Sequence, residues 1–519
     1  MNPFLRHCRA TILILAMGLS LYSGFPAAAA NARQKSVLAR LFVHKNGIDR
    51  SPAPASGTQT PSRPDLIIVQ TQIELPGTLS RRFPKGSQLL LKASNGRQQI
   101  LTPDFFAAAD LRISFDGARV LFAGKKTKDL PWQVWEMNVD GTGARQVTHS
   151  SSDCIQPAYL ARGLIVYTAM PSTTPAQSAS ITSGESQIWV SKLDGTDAHP
   201  ITFGPGDFQV QTVLQNGAIL ATARTPLLPS NGHSADRELY TIRLDGTSLA
   251  TLRCDHQNPA VRSQAEELAD GSVVFVKAPL NSNNLGGQLA WIRRGAVHNE
   301  PLTAPTIQAK SPQPIPGEQI IISREATGAQ PGKSSTLYAF NPTTGKFGAP
   351  IFQDPKFASV EAVPVAAHES PRWYWSTLNA DLKRGYFICL NGYLAQDLPR
   401  GRIAAKLAKV RVLTLDAATQ KENLLGEAPM EEDGSFYIAV PPDQPVRFEV
   451  VNAAGQVVRE QKSWIWARSG EEHGCVGCHE DRAIAPENRW PMALRRFDTP
   501  TRLDLAKATV GSGQTAGGR

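Results

Sequence analysis

Long apolar runs are scarce in this chain. The one clear run, Thr11-Ile12-Leu13-Ile14-Leu15-Ala16-Met17-Gly18-Leu19, is too short to cross a bilayer. It follows Arg6 and Arg9 and precedes Ala27-Ala28-Ala29-Ala30, so residues 1 to 30 read as a secretory signal peptide. No comparable run follows, so the mature chain is expected to have no transmembrane span and to be periplasmic or secreted. Cysteine is also scarce, six in 519 residues. Only Cys475 and Cys478 form a C-x-x-C pair, and the lack of a second pair removes the usual four-ligand zinc site. The lack of a βαβ pattern around that pair removes a thioredoxin-like dithiol. The net charge is +9, but no basic stripe with interleaved aromatics is present, which argues against nucleic acid as a partner. No Ser-His-Asp or paired-carboxylate constellation stands out.

What is present is Cys475-Val476-Gly477-Cys478-His479, the C-x-x-C-H attachment signature of c-type haem. Two intervening residues let both thiols add to one porphyrin edge as thioethers while His479 ligates the iron. The expected cofactor is therefore one covalent haem c, held by Cys475 and Cys478, with His479 as proximal ligand. Export and motif agree, because c-type haem is attached after translocation. Met492, the only methionine after the motif, is the candidate distal ligand, with a packing methionine as the plainer reading. His473, His149, His199 and His256 are further candidates, each also readable as a surface or turn residue. Trp464 and Trp466 read equally as porphyrin cover or as β-sandwich core. Glu480 and Asp481 read as a solvated turn or as partners of a propionate. Cys154, Cys254 and Cys389 remain, as a Cys154–Cys254 disulfide with one thiol left or as three buried thiols.

Residues 31–63 are polar, rich in Pro, Ser and Gly, and read as a linker. A repeat then begins. Trp135 to Thr142, Trp189 to Thr196 and Tyr240 to Thr247 each run an alternating strand into Asp-Gly-Thr, at Asp140, Asp194 and Asp245. The glycines, Gly141, Gly195 and Gly246, suit hairpin turns that need positive φ. Ile113 to Phe122, with Asp116-Gly117, and Asp270 to Phe275 supply an earlier hairpin in the unit. Two hairpins make four strands, a propeller blade. Residues 64–353 thus read as a propeller of about six blades, with five or seven as the alternatives. Residues 354–399 read as a connecting segment. Residues 400–468 carry short alternating strands and read as a small β-sandwich. Residues 469–519 are too short for a helical cytochrome c domain and read as an extended haem-carrying tail.

The Ser-Phe-Asp-Gly and Leu-Asp-Gly-Thr repeats resemble TolB-like propeller repeats. The stretch from Ser463 through the motif to Arg489, with Glu432-Asp433-Gly434-Ser435-Phe436, resembles the hydrazine synthase alpha-subunit-like family of exported haem proteins. The resemblance spans roughly residues 64 to 500 and implies a six-bladed propeller, a sandwich-like middle domain and a covalent haem. Hydrazine synthase alpha subunits bind more than one haem, whereas this chain has a single C-x-x-C-H. The resemblance therefore supports Cys475, Cys478 and His479 as haem-binding positions and no catalytic residue. The expected function is electron transfer or haem-based redox chemistry with a periplasmic redox partner. The alternative is a propeller-based binding or scaffold module with a structural or sensory haem.

Overall fold

The computed structural model describes residues 64–75, 82–170, 186–224, 237–253, 259–280, 286–296, 298–315, 317–325, 334–416, 421–461, 463–478 and 487–504. The signal segment, the linker, Cys254, His256, His479, Glu480 and Asp481 lie outside them. Among the described residues no helix is long and apolar enough to cross a membrane.

Six four-stranded antiparallel blades make the propeller. Five run in chain order from their innermost strands, Ala107–Ile113, Asp153–Leu160, Asp207–Val213, Val261–Glu267 and Ala309–Ile315. A single parallel bridge, Arg237 to Val261, joins the third blade to the fourth. The sixth blade closes the ring from both ends of the domain. Ala358–Pro364 is its innermost strand, and Leu66–Thr71, Gln88–Lys92 and Gln98–Ile100 lie outside it. Neighbouring innermost strands touch all the way round. The propeller therefore runs past residue 353, into the stretch read as a connector. The closing strand carries no Asp-Gly turn of its own, so the repeat gave no sign of it.

The Asp-Gly-Thr turns occupy equivalent places in three blades. Gly141, Gly195 and Gly246 have φ of 89°, 86° and 81°. Close packing adds a second demand at Gly246, where a Cβ would stand 2.6 Å from the Ile201 carbonyl oxygen of the preceding blade. The aspartates are turn formers: Asp140 Oδ1 accepts the Thr142 N–H at 2.9 Å and its hydroxyl at 2.7 Å, and Asp194 and Asp245 repeat the pattern.

A second regularity sits on the axis. Every innermost strand is bulged at its midpoint against its neighbour. In four blades the bulge residue is a non-glycine in the left-handed region: Asp110 (52°), Gln156 (52°), Gln264 (53°) and Ser311 (48°). Side chains then satisfy the backbone N–H groups freed in the next blade. Asp110 Oδ2 accepts from Gln156 N, Gln211 Oε1 from Ala265 N, and Gln264 Oε1 from Ser311 N, at 3.1, 3.3 and 2.7 Å.

The second part is a sandwich of two four-stranded sheets. One is ordered Glu472–Cys475, Gly385–Cys389, Phe436–Val440, Thr501–Arg502, and the other Glu422–Pro429, Leu407–Leu415, Val446–Asn452, Val457–Glu460. Their alternating apolar faces meet in one core, where Phe448 packs on Phe387 and Phe436 with ring centroids 5.1 and 6.0 Å apart. The sandwich is therefore larger than residues 400–468. Gly385–Cys389 comes from the stretch read as a connector, and both edge strands of the first sheet come from the stretch read as a tail.

Trp466 fastens the sandwich to the propeller. It is 1% exposed, stands edge-on to Phe203 and Phe208, and donates its indole N–H to the Gly246 carbonyl at 3.0 Å. Of the two readings of this residue, packing core holds, at the junction of the two parts. Trp464 is buried beside Arg447.

Candidate functional site

The Cys475 loop begins as a sheet edge. Glu472–Cys475 runs parallel to Gly385–Cys389, pairing Glu472 with Tyr386, His473 with Phe387, Gly474 with Ile388 and Cys475 with Cys389. Beyond the strand the two chains stay joined through their backbones. Leu390 N donates to Cys475 O at 2.9 Å, Asn391 N to Val476 O at 3.1 Å, and Cys478 N to Leu394 O at 3.0 Å. The loop between the cysteines is thus clamped along its length by residues 390–394. Both cysteines are half-buried and pack against the sandwich core, and Gly477 between them is buried.

Residues 390–394 are themselves held by the Asp433-Gly434-Ser435 turn. Gly392 N donates to Gly434 O at 2.7 Å. The same turn holds Met492: its N–H donates to Asp433 Oδ2 at 2.9 Å, and Ala493 N donates to Ser435 Oγ at 2.9 Å. Burial alone would push the Asp433 carboxyl up. The Ser435 hydroxyl, the Met492 and Ser435 N–H groups and nearby Arg489 outweigh it and hold the carboxyl below the usual carboxylate range. Met492 opens a short 3-10 turn, Met492–Leu494, and is half-buried.

A cavity of about 660 Å3 opens between these elements, lined by Asn391, Tyr393, Leu394, Arg400, Arg402 and Arg489, with Glu432, Asp433 and Glu487 among the others. Its wall shares Asn391 and Leu394 with the clamp on the cysteine loop, and Asp433 with the seat of Met492. It combines an apolar and aromatic side with three guanidinium groups, of which Arg402 lies over the Tyr393 ring at 5.8 Å.

Other candidates fall elsewhere. The His473 ring packs 5.4 Å from that of Phe387, one strand position from Gly474. His149 and His199 are exposed on the propeller, His149 in a loop where it contacts Gln146 and His199 in the short strand His199–Pro200 where it contacts the Asp197 carbonyl. Cys154 is buried in a propeller cluster, and burial pushes its thiol up to about 12. Sequence reasoning missed the clamp, Asn391 and Leu394, and the cavity arginines Arg400 and Arg402. Residues 390–402 carry no motif. Asp433-Gly434 was visible as part of the stretch that carries the resemblance, and nothing in its spacing tied it to a methionine so far along the chain.

Comparison with known proteins agrees with the fold. The family of the hydrazine synthase alpha subunit middle domain matches residues 396–480, which hold most of the sandwich and the C-x-x-C-H. The hydrazine synthase subunit alpha of Kuenenia stuttgartiensis is 22% identical over 520 aligned positions, which cover 76% of this chain and 63% of that protein. This chain thus spans somewhat under two thirds of the relative's length. The structure of Kuenenia stuttgartiensis hydrazine synthase superposes with a TM-score of 0.72 at 20% identity, covering 83% of this chain and 71% of that one. TolB from Acinetobacter baumannii gives a TM-score of 0.42 at 15% identity, over 58% of this chain and 67% of its own. Residues 396–480 thus match the hydrazine synthase alpha subunit middle domain, and the chain as a whole resembles that subunit in sequence and shares its fold.

Proposed function

We propose that this chain is an exported monohaem c-type protein. Cys475 and Cys478 carry one covalent haem c, His479 is the proximal ligand, and the protein exchanges single electrons with a periplasmic redox partner. When bound, such a haem supplies one-electron iron chemistry whose potential follows its axial ligands and surroundings.

The residues present suit the group. Two half-buried thiols three positions apart stand on a loop whose backbone is fixed at three points by residues 390–394. That fixed loop is the observation that carries the reading. Arg400, Arg402 and Arg489 would offer cations to two propionates, and Tyr393 and Leu394 an apolar face. Met492 is the candidate distal sulfur ligand, on a backbone seated by Asp433. Hydrazine synthesis is not part of this proposal, because a single C-x-x-C-H brings no catalytic residue with it.

The test is redox titration of protein made with a c-type haem maturation system, followed by visible spectroscopy with and without carbon monoxide. Electron transfer requires a reversible midpoint potential and a six-coordinate spectrum that carbon monoxide leaves unchanged. A haem that does not change oxidation state would favour the structural or sensory alternative. Loss of the six-coordinate spectrum in Met492→Ala would support the sulfur ligand.

A further inference from the structure

The propeller axis encloses a cavity of about 420 Å3 that the haem proposal leaves unused. Its wall is built from the bulged innermost strands and carries Arg82, Asp110, Arg112, Gln211, Glu266 and Glu361. Arg82, Gln211, Glu266 and Glu361 are buried residues, each no more than 9% exposed.

Arg112 reaches across the axis, and both of its Nη atoms are engaged. Its Nη2 donates to Gln211 O and to Glu266 Oε1, both at 2.6 Å, and its Nη1 to Leu111 O at 3.1 Å and to Glu361 Oε1 at 3.5 Å. Arg82 is different. Its Nε pairs with Glu74, whose other oxygen takes the Lys310 ammonium at 2.6 Å. Its Nη2 is buried with no hydrogen-bond partner among the described residues, and Arg82, only 8% exposed, is one of the residues that line the cavity. A buried guanidinium N–H without an acceptor is an exception that asks for one.

The balance of charge says what kind. Arg82, Arg112, Arg224 and Arg237 all line the cavity. Against them stand Asp207, which is paired with Arg237 and Arg224, and Asp110, Glu266 and Glu361, whose carboxyls burial pushes up so that they lose charge more readily than exposed carboxylates do. No group of three or more His, Cys, Asp or Glu fit for a metal ion occurs among the described residues. Arg112, Arg224 and Arg237 are paired with wall carboxylates, whereas an anion would bring an acceptor for the unused donor of Arg82.

We propose that the axial cavity binds a small oxyanion, inorganic or a short carboxylate, with Arg82 Nη2 as its buried donor. Glu361 faces Arg112, Asp110, Arg82 and Glu266, and it sits where a bound anion would favour its protonated form. Binding is therefore accompanied by proton uptake and strengthens as the pH falls through about 7.

The experiment is titration calorimetry of the full-length mature protein with sulfate, phosphate, acetate and succinate. It is run at constant ionic strength and in two buffers of different protonation enthalpy. The expected result is saturable binding of at least one probe with proton uptake. Arg82→Lys, which keeps a cation beside Glu74 but removes Nη2, should weaken that binding at least tenfold. Glu361→Gln, which leaves Arg82 and its Glu74 pair in place, should abolish the proton uptake and flatten the pH dependence. Binding of sulfate or phosphate alone names the inorganic source, and binding of the carboxylates the organic one. No saturable binding by any of the four probes overturns the proposal. So does unchanged affinity in Arg82→Lys or, if that variant does not fold, unchanged pH dependence in Glu361→Gln.

Discussion

Gly477 lies so close to Leu394 that a Cβ on the glycine would stand 2.6 Å from the leucine Cβ and 2.9 Å from its carbonyl oxygen. Neither obstacle is the free end of a flexible side chain, so the cysteine loop and residues 390–394 form one fitted pair. Gly477→Ala must push the loop away from its clamp, a distortion of the overpacking kind that costs about 1–3 kcal/mol. The expected outcome is a lower yield of haem-bearing protein and a melting temperature a few degrees below wild type. Val476→Ala, at a neighbouring half-buried position, should do much less. Equal haem yield in Gly477→Ala and wild type would show that the clamp does not position the thiols.

Trp466 is the corresponding fastener between sandwich and propeller. Trp466→Ala removes a fully buried indole and should cost about 3–5 kcal/mol. Trp466→Phe keeps most of the packing against Phe203 and Phe208 and loses mainly the hydrogen bond to Gly246, about 0.5–1.5 kcal/mol. Calorimetry should show the sandwich melting apart from the propeller in the alanine variant only.

Glu74 ties the closing blade to the fifth blade through Lys310. Burial alone would push its carboxyl up, but Arg82 and Lys310 beside it hold it below the usual range. The stabilisation it gives is thus present above the unfolded carboxylate value of about 4.3 and lost as the pH falls below it. Glu74→Gln leaves two buried cations short of a partner and should destabilise the protein at pH 7 by about 3–5 kcal/mol. Chemical unfolding at pH 7 and at pH 4 should show the variant's deficit shrinking at the lower pH.

The turns were legible in the sequence because an Asp-Gly pair advertises both a hydrogen-bonding side chain and positive φ, as Asp140-Gly141 and Asp245-Gly246 do. The cysteines were legible because Cys475-Val476-Gly477-Cys478-His479 has the spacing that covalent haem attachment would require. The axial bulges were not. Asp110, Gln156, Gln264 and Ser311 are four different residues, and what unites them is a backbone conformation that none of them signals. The closing strand Ala358–Pro364 and the sheet partner Gly385–Cys389 were missed for a related reason. Their places depend on pairing with strands distant in sequence, Leu66–Thr71 and Glu472–Cys475.

Glu361 gives a second pH signature, of opposite sign to that of Glu74. Burial raises its carboxyl to about 7, against the pull of Arg112 and with Asp110 adding to the rise. Between about 4.3 and 7 the native state therefore holds a proton that the unfolded chain has lost. Stability falls as the pH rises through that window. Glu361→Gln should be the more stable protein at pH 8 and should lose the advantage towards pH 5, as read from melting temperatures across the range. A variant less stable than wild type at pH 8 would contradict the assignment.

The central claim is covalent haem at Cys475 and Cys478, and intact-mass spectrometry tests it most directly. Full-length protein produced with a c-type haem maturation system should carry the mass of one haem through denaturation and acid extraction. Cys475→Ala/Cys478→Ala should lack it while keeping the propeller's circular dichroism. Wild-type protein that emerges at its unmodified mass under those conditions would contradict the account.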